Sequence, residues 1–197
     1  MTAAGPARAV ARAAVADADA IKSWQATEGP VKYRAATAAD AEAAGPMLIA
    51  HYALHAQFDA ARFTPRPGFE AGYVRWLAQR ADDPRSVFFV AETETPPVRL
   101  AGFVVGTVER EIPVYTLREY GFIHDLWVEP MYRHEGVGRQ LVMLAVEGLL
   151  KRGVSQVRAE AAWVNAAARG LLERAGFRPS TVVYLLEAGS ASDDGAR

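Results

Sequence analysis

The segment spanning residues 120–152 constrains the fold most, because it reads as a strand followed directly by a helix. Residues 120–130 read YGFIHDLWVEP, in which apolar side chains dominate until Pro130 ends the run. From Gly138 onward, leucine, valine and alanine recur at helical spacing until Gly153 ends the pattern. An amphipathic helix that follows a strand packs its apolar face against a sheet. This unit therefore predicts an α/β fold.

The other segments predict the remaining elements of the same fold. Pro96 and Pro97 mark a turn between two strand-like runs, and Gly45-Pro46 breaks a helical run. Strands that alternate with helices around one Pro-Pro hairpin predict a mixed, mostly antiparallel sheet flanked by helices. The predicted strands are 31–37, 86–93, 99–110, 120–130, 154–163 and 180–188, and the predicted helices are 38–60, 69–80, 138–152 and 165–176.

The two ends of the chain differ in composition from the segment between them. The first thirty residues are rich in alanine with scattered arginine and aspartate, so their apolar face is too small to anchor firmly. We expect residues 1–30 to form a mobile or loosely docked extension and residues 31–188 to form the folded domain. Residues 189–197, GSASDDGAR, are small and polar, which predicts a disordered tail.

Composition excludes several classes of function. The formal net charge of −1 gives no attraction to nucleic acid or to an anionic membrane surface. The absence of cysteine excludes disulfides, thiol catalysis and cysteine–zinc sites, and it fits a reducing, cytoplasmic location. His51 and His55 lie four residues apart, but no third ligand accompanies them, so no metal site is predicted. No apolar run approaches the ~20 residues that span a bilayer, so we expect no membrane partner.

Residues 132–141, YRHEGVGRQL, place two glycines at the start of the predicted helix. The first N–H groups of a helix have no acceptor within the helix, and the helix dipole favours negative charge there. The P-loop and dinucleotide-binding patterns both fail here, because neither matches the spacing of the glycines and their neighbours. What remains is Arg133-x-x-Gly136-x-Gly138 between a strand and a helix. Glycines in this position either supply the backbone angles that a turn requires or admit a phosphate group to the bare backbone.

A second motif lies in the last predicted helix. Asn165 stands at the start of this helix, Ala168 and Leu171 follow at helical spacing, and a Gly-Phe pair follows its end. Together the two motifs resemble those of the GCN5-related N-acetyltransferase (GNAT) superfamily, R/Q-x-x-G-x-G/A and N-x-x-A-x-x-L-Y-x-x-x-G-F. The order of predicted elements over residues 31–188 is also similar to that family. The resemblance implies the GNAT fold, with a central sheet splayed at an acetyl-CoA site.

The resemblance also implies an activity, the direct transfer of an acetyl group from acetyl-CoA to an amine of a small molecule or a protein. In the family the glycine loop holds the pyrophosphate through its amides, and the preceding strand pairs with the pantetheine arm as an extra strand would. A bulge in that strand makes room for the thioester. The implied cofactor-binding residues are Leu126, Trp127, Val128, Arg133, His134, Glu135, Gly136, Val137, Gly138, Arg139, Asn165 and Ala168.

The acetylation of an amine at neutral pH is helped by a base, because a side-chain amine has a pKa near ~10.4. Several amine-acetylating members of the family carry a glutamate or histidine four residues before the position of Val128, and the residue there is His124. Alternation along the strand predicts that His124, Leu126 and Val128 share one face. Asp125 and Trp127 then share the other. The alternative to a catalytic base is a structural histidine inside the sheet.

One position departs from the family's pattern. The usual general acid is a tyrosine after Leu171, and this chain has Leu172, which cannot protonate a departing thiolate. Tyr184 and Tyr120 are candidate substitutes, and water is another, because the thiol of CoA is a good leaving group. Tyr120 and Glu119 are also expected to line the acceptor cleft.

Three functions stay open from the sequence. The first is an N-acetyltransferase, which is the function that the resemblance implies. The second is a non-catalytic GNAT-fold module that binds acyl-CoA, which Leu172 slightly favours. The third is a structural interaction domain that has no affinity for CoA and whose N-terminal extension binds a partner. We also allow for a homodimer.

Overall fold

One five-stranded sheet organises the computed structural model, which describes residues 31–187. The predicted extension (1–30) and tail (189–197) lie outside the described residues. The strands are β1 (Val31–Ala35), β2 (Ser86–Thr93), β3 (Leu100–Arg110), β4 (Glu119–Val128) and β5 (Val157–Ala159). They lie side by side in their order along the chain, and neighbours are antiparallel except that β5 runs parallel to β4. The predicted mixed sheet is confirmed.

Helices cover both faces of this sheet. They are α1 (Ala38–Ala43), α2 (Gly45–Phe58), α3 (Ala60–Phe63), α4 (Phe69–Asp82), α5 (Val137–Lys151) and α6 (Ala166–Arg174), and a 3₁₀ turn spans Pro130–Tyr132. Phe103 and Val104 are consecutive in β3, so their side chains lie on opposite faces. Phe103 packs with Leu48 and Leu77 from α2 and α4. Val104 packs with Leu141 from α5, so each face of the sheet carries its own hydrophobic core.

The strand β4 contains one residue more than its pairing with β3 requires. Val105 of β3 pairs with Asp125, but the next residue of β3, Gly106, pairs with Ile123. His124 is therefore the extra residue of a β-bulge, and it has no partner of its own in the ladder. A bulge also lets two consecutive side chains point to the same face of a sheet.

The bulge corrects the predicted arrangement of side chains along β4. The ring of His124 lies 5.3 Å from that of Trp76 in α4, centroid to centroid. Asp125 accepts a hydrogen bond from Tyr73 of the same helix. The two side chains thus share the α4 face, whereas Leu126 packs with the core on the α5 face. The prediction that His124 shares a face with Leu126 was wrong, because simple alternation assumes a strand without an extra residue.

The strands β4 and β5 separate shortly after they meet. They pair only over Gly121–Ile123 and Val157–Ala159. Beyond Ile123, β4 continues to Val128 with no strand on this edge within the described residues. An unpaired edge presents main-chain N–H and C=O groups with which an extended ligand can pair. The splay implied by the family resemblance is therefore present, directly after the bulge.

Two predicted strands differ in the structure. The segment predicted at 154–163 forms a strand only at Val157–Ala159. Residues 180–187 form no strand, and Tyr184 and Leu186 are exposed to 91% and 92%. Their apolar pattern supplies strand propensity, but a strand is stable only when a neighbouring strand binds its backbone groups. No such neighbour lies beside residues 180–187 in the described part of the chain.

The helix predicted over residues 38–60 divides into α1, α2 and α3. Pro46 lies in the first turn of α2, where its missing N–H costs little. Asp59 separates α2 from α3, and its carboxylate accepts a hydrogen bond from the backbone N–H of Arg62. Ala44 and Asp59 therefore divide the predicted helix into three shorter helices.

Two helical glycines test how tightly α5 packs on the sheet. A Cβ atom at Gly148 of α5 would lie 2.7 Å from Val87 Cγ1, whereas a Cβ at Gly72 of α4 would meet nothing within 4 Å. We expect Gly148→Ala to lower the free energy of unfolding by about 1–3 kcal/mol. The control Gly72→Ala should raise it by up to about 1 kcal/mol through helix propensity. Urea unfolding followed by circular dichroism measures both, and equal effects of the two variants would contradict tight packing at Gly148.

Candidate active site

The loop between β4 and α5 presents backbone N–H groups that suit an anion. His134 and Gly136 both have left-handed backbone conformations, with φ of 67° and 86°. Gly136 is the N-cap of α5, and no side chain caps this helix end. The first N–H groups of α5 therefore have no acceptor within the helix, and they lie at the positive end of its dipole. Such a loop followed by a helix start binds phosphate groups through the backbone.

Gly138 lies in the first turn of α5, and the packing of the protein does not itself require a glycine there. A Cβ atom at Gly138 would lie 3.4 Å from Leu171 Cδ1 and 3.5 Å from Val128 Cγ2, which are ordinary van der Waals distances. Leu171 belongs to α6, so the two sequence motifs meet at this glycine. The missing side chain leaves space beside the N–H groups of the first turn.

The open edge of β4 presents the main-chain groups of Leu126 and Val128. The N–H of Glu129 donates a hydrogen bond to the carbonyl of Ala101, at the end of the ladder with β3. Hydrogen-bonded and non-hydrogen-bonded residues alternate in an antiparallel ladder, so Leu126 and Val128 direct their N–H and C=O groups away from β3. Those of Trp127 face β3 instead. The predicted pairing with an extended ligand is therefore available at two of the three predicted positions.

Arg133 ties the loop to the end of β4. Its Nε donates a hydrogen bond to the carbonyl oxygen of Val128 at 2.8 Å. Its guanidinium lies over the Trp127 ring, 4.7 Å from the centroid. The Arg133 side chain thus positions the loop, and the carbonyl of Val128 already has a partner inside the protein.

Asn165 caps α6 through its side chain. Its Oδ1 accepts a hydrogen bond from the backbone N–H of Ala168 at 3.0 Å. The cap determines where α6 begins, and Leu171 then lies close to Gly138. The predicted N-cap is present, and it places the second motif beside the loop.

His124, the extra residue of the bulge, is held by a hydroxyl and a carboxylate. Its Nε2 lies 2.7 Å from Thr107 Oγ1, which in turn lies 2.5 Å from Glu109 Oε1. A carboxylate only accepts hydrogen bonds, so the Thr107 proton points to Glu109 and the Thr107 oxygen accepts from Nε2–H. This arrangement assigns the ring proton to Nε2 and leaves the electron pair on Nδ1 to accept a proton.

Burial lowers the pKa of His124, and the carboxylates of Asp125 and Glu109 oppose that shift without cancelling it. The neutral ring therefore predominates near pH 7. Trp76 and Phe122 pack against the ring, with centroids 5.3 Å and 5.0 Å away. The His124 side chain remains 28% exposed, so it is both uncharged and accessible, as a general base must be.

Asp125, the next residue, is buried and binds side chains from two helices. Its Oδ1 lies 3.1 Å from His51 Nε2 and 3.4 Å from the Tyr52 hydroxyl. Its Oδ2 accepts a hydrogen bond from Tyr73. Burial raises the pKa of the Asp125 carboxyl, but the interactions with His51 and Tyr73 outweigh burial and leave that pKa below its usual value. Asp125 is thus a charged anchor that holds α2 and α4 on the sheet.

A cleft of about 560 Å³ opens on the α4 face, beside α2 and α3. Aromatic rings form much of its wall, namely Tyr52, Phe63, Phe69, Tyr73 and Trp76. Tyr52 and Tyr73 also contact Asp125, so the buried carboxylate holds part of this wall in place. Trp76 lines the cleft and also contacts His124. Side chains that line the cleft therefore contact both residues of the bulge region, His124 and Asp125.

Three further candidates from the sequence are engaged or placed elsewhere. Glu119 forms an ion pair with Arg85 at 3.0 Å. The ring of Tyr120 lies under the guanidinium of Arg158, 3.8 Å from its centroid. Tyr184 is 91% exposed in the segment that forms no strand, so the structure does not bring this phenol into the site.

A comparison with protein-family models decides the assignment. The model described as the acetyltransferase (GNAT) family matches residues 52–177, which is more than half of the chain and contains both motifs. The chain belongs to the GNAT acetyltransferase family. The resemblance drawn from the motifs is confirmed.

A relative by sequence agrees with the GNAT assignment. An uncharacterized N-acetyltransferase of Methanocaldococcus jannaschii is 33% identical over 120 residues. The alignment covers 56% of this chain and 46% of that protein, so the chain spans less than half the length of that relative.

Solved structures agree on the GNAT fold. A tetramutant of the BH1408 protein from Bacillus halodurans has a TM-score of 0.67 at 16% identity, and the match covers 80% of this chain and 99% of that one. AAC(6')-Iy in complex with the bisubstrate analog CoA-S-monomethyl-acetylneamine has a TM-score of 0.59 at 14% identity, with coverage of 81% and 99%. At these identities the structures confirm the fold alone.

The sequence did not reveal the side chains that surround Asp125 in this GNAT domain. Tyr52 and Tyr73 precede Asp125 by 73 and 52 residues, so no local pattern links them. In the sequence, His51 stood out only through its spacing from His55, which was considered as a pair of metal ligands. In the structure it binds Asp125. Its position on the apolar side of a predicted helix was the one available signal.

Residues 31–187 contain neither a cluster of metal ligands nor a membrane-spanning helix. No group of three or more His, Cys, Asp or Glu side chains there could hold a metal ion. No helix in the same range is long and apolar enough to cross a membrane.

Tyr73→Phe tests the anchoring role of Asp125. The substitution removes one hydrogen-bond donor from a buried, charged carboxylate, so we expect the free energy of unfolding to fall by about 1.5–3 kcal/mol. Tyr184→Phe is the matched control and should change that energy by less than about 0.5 kcal/mol, because Tyr184 is exposed. Chemical denaturation measures both. Similar small effects at the two tyrosines would show that the Tyr73 hydroxyl does not stabilise the fold.

Proposed function

We propose that this chain is an N-acetyltransferase that takes its acetyl group from acetyl-CoA and passes it to an amine of a small molecule or a protein. The observation that carries the proposal is the open edge of β4. This edge begins at the bulge, where His124 has the properties of a base, and ends beside the loop and helix start that suit an anion. Membership of the GNAT family supports the same activity.

The described residues fit acetyl-CoA as the donor. The uncapped start of α5 and the space beside Gly138 suit the pyrophosphate, through the backbone of residues 133–139. The main-chain groups of Leu126 and the N–H of Val128 suit the amides of pantetheine. Ala168 lies in the first turn of α6, and the family motif implies that its small side chain leaves room for the same arm. Arg133 contributes by position, since its side chain already binds Val128.

The proposed reaction moves one acetyl group and two protons. His124 Nδ1 takes the first proton from the acceptor ammonium, directly or through water, and the amine nitrogen then attacks the thioester carbonyl carbon. A C–N bond forms, the C–S bond breaks, and CoA leaves as a thiolate. The attacking nitrogen gives up its second proton, which reaches the thiolate through water, because Leu172 stands where the family's tyrosine would donate a proton. The products are the amide and the thiol of CoA, and His124 returns its proton to solvent.

A non-catalytic acyl-CoA-binding module is the alternative, and Leu172 is the residue that favours it. Both functions require the loop, so affinity for acetyl-CoA does not separate them. Release of free CoA in the presence of a panel of amines does. Tight binding of acetyl-CoA without release from any amine would support the module.

Substitutions at Gly138 test the donor site. Gly138→Glu adds negative charge beside the expected pyrophosphate, so we expect acetyl-CoA affinity to be lost. Gly138→Gln has nearly the same volume without the charge and should retain more affinity than the glutamate variant. Gly138→Ala should bind almost as the parent does, because a Cβ fits at ordinary contact distances. Calorimetry gives the affinities and thermal unfolding checks the fold, and unchanged affinity in the glutamate variant would exclude this loop as the site.

His124→Gln tests the base. Glutamine cannot accept the proton, so we expect kcat to fall by ~10²–10⁴-fold with little change in acetyl-CoA affinity. In the parent enzyme the rate should fall in acid as His124 is protonated, with a midpoint below 6.5, because the fold lowers the pKa of this group. That acidic limb should disappear in the variant. A variant with nearly full kcat and an unchanged pH profile would make His124 a structural residue.

Glu109→Gln refines the same test. The Glu109 carboxylate raises the pKa of His124, so its neutralisation should move the acidic limb to lower pH. Glu42→Gln, an exposed change on α1, is the control and should leave the profile unchanged. Initial rates measured across pH decide the matter, and a shift to higher pH in Glu109→Gln would contradict the assigned hydrogen-bond chain.

A further inference from the structure

The charges around the aromatic cleft indicate which acceptor it suits. The lining includes two guanidinium groups, those of Arg62 and Arg66, and no carboxylate among the described residues. Asp125 is itself buried, and Tyr52 and Tyr73 contact its two oxygens. The cleft therefore offers a ligand positive charge and aromatic surface.

The two arginines differ in their own partners. Arg62 forms an ion pair with Glu160 at 3.1 Å and lies over the Phe63 ring, 4.9 Å from its centroid. Arg66 is exposed and has neither an ion pair nor a side-chain hydrogen bond with any residue from 31 to 187. A guanidinium whose donors are all available binds carboxylate or phosphate oxygens as a fork. Arg66 is therefore the better candidate for an anionic ligand group.

We infer that the acceptor is a small amine that also carries an aromatic or large apolar group and an oxyanion, and that Arg66 binds the oxyanion. The inference rests on the proposed function. The cleft volume of about 560 Å³ is that of a small-molecule site. Rings such as Phe69 and Tyr73 provide the surface for the apolar group. Trp76 lines the cleft and its ring contacts that of His124, so the acceptor amine belongs at the Trp76 end of the cleft.

Polycationic amines fit this cleft poorly. A polyamine or an aminosugar antibiotic carries several ammonium groups, and each binds best beside a carboxylate. The guanidinium of Arg66, which no carboxylate within residues 31–187 neutralises, instead repels such a ligand and disfavours it even where its shape fits. An acceptor that carries an oxyanion is instead attracted to the Arg66 guanidinium.

The binding test uses 3-phenylpropionate, which has a ring and a carboxylate but no amine to acetylate. Its amide, 3-phenylpropanamide, has nearly the same shape without the charge, and spermidine is the polycationic probe. Calorimetry with the full chain should show binding of 3-phenylpropionate about tenfold tighter than of either other probe. Phenyl phosphate, measured in parallel, distinguishes phosphate from carboxylate as the preferred oxyanion.

Variants assign the preference to one side chain. Arg66→Ala should abolish the difference between 3-phenylpropionate and its amide, and Arg66→Lys should keep part of it, since lysine retains the charge but not the fork. Arg75→Ala changes an exposed arginine of α4 outside the cleft lining and should keep the full difference. Circular dichroism confirms that each variant is folded.

Transfer is measured separately, as release of CoA with 4-(aminomethyl)benzoate, whose amine and carboxylate lie on opposite sides of its ring, and with 4-methylbenzylamine, which lacks the carboxylate. We expect kcat/KM to favour 4-(aminomethyl)benzoate in the parent chain and to lose that preference in Arg66→Ala. Probe binding that depends on Arg66, without CoA release from any amine, would support the assigned cleft and refute the proposed function. CoA release with spermidine and no preference for the carboxylate probe would overturn the inference and leave the proposed function standing. A preference that survives Arg66→Ala would overturn it as well.

Discussion

The extra residue in β4 determines how the candidate site is built on both faces of the sheet. In a regular strand, either His124 or Asp125 would face α5 and neither could work with its neighbour. The bulge turns both toward α4, so a buried, charged anchor and an accessible ring occupy consecutive positions. Leu126 then returns to the α5 face, where it lies beside the glycine loop. One additional residue thus allows a single strand to serve the aromatic cleft and the open edge together.

Features that depend on neighbouring residues could be predicted from the residues themselves, whereas the bulge and the splayed edge of β4 were implied only by the family resemblance. The strand, the glycine loop and the helix that follows were all visible in residues 120–152, and Asn165 was recognisable as a cap. The position of the bulge was not visible, because an extra residue changes the register between two strands and leaves the apolar pattern of either one intact. The face of His124 was consequently wrong, although the residue itself was identified.

Long-range contacts explain the other differences. Residues 180–187 have the composition of a strand, yet propensity alone does not supply the partner that a strand needs. The contacts of Asp125 with His51 and Tyr73 join segments that are distant in the chain, and only the folded sheet brings them together. The aromatic cleft depends on the same long-range contacts, because Tyr52 and Tyr73 in its wall contact the Asp125 carboxylate. The acceptor side of the molecule is therefore the part about which the sequence says least.

The contrast between His124 and Asp125 shows why the bulge favours one of them as the base. The two side chains are adjacent and share a face, but they differ in charge. Interactions with His51 and Tyr73 lower the pKa of Asp125 and burial lowers the pKa of His124, so near pH 7 Asp125 is charged and His124 is neutral. Hydrogen bonds to both oxygens stabilise the charged form of Asp125 and leave its carboxylate poorly placed to take another proton. Burial instead favours the neutral form of His124, while Thr107 occupies only one of its ring nitrogens. Of the two groups, only His124 keeps an available electron pair, so the same packing that makes Asp125 an anchor leaves proton transfer to its neighbour.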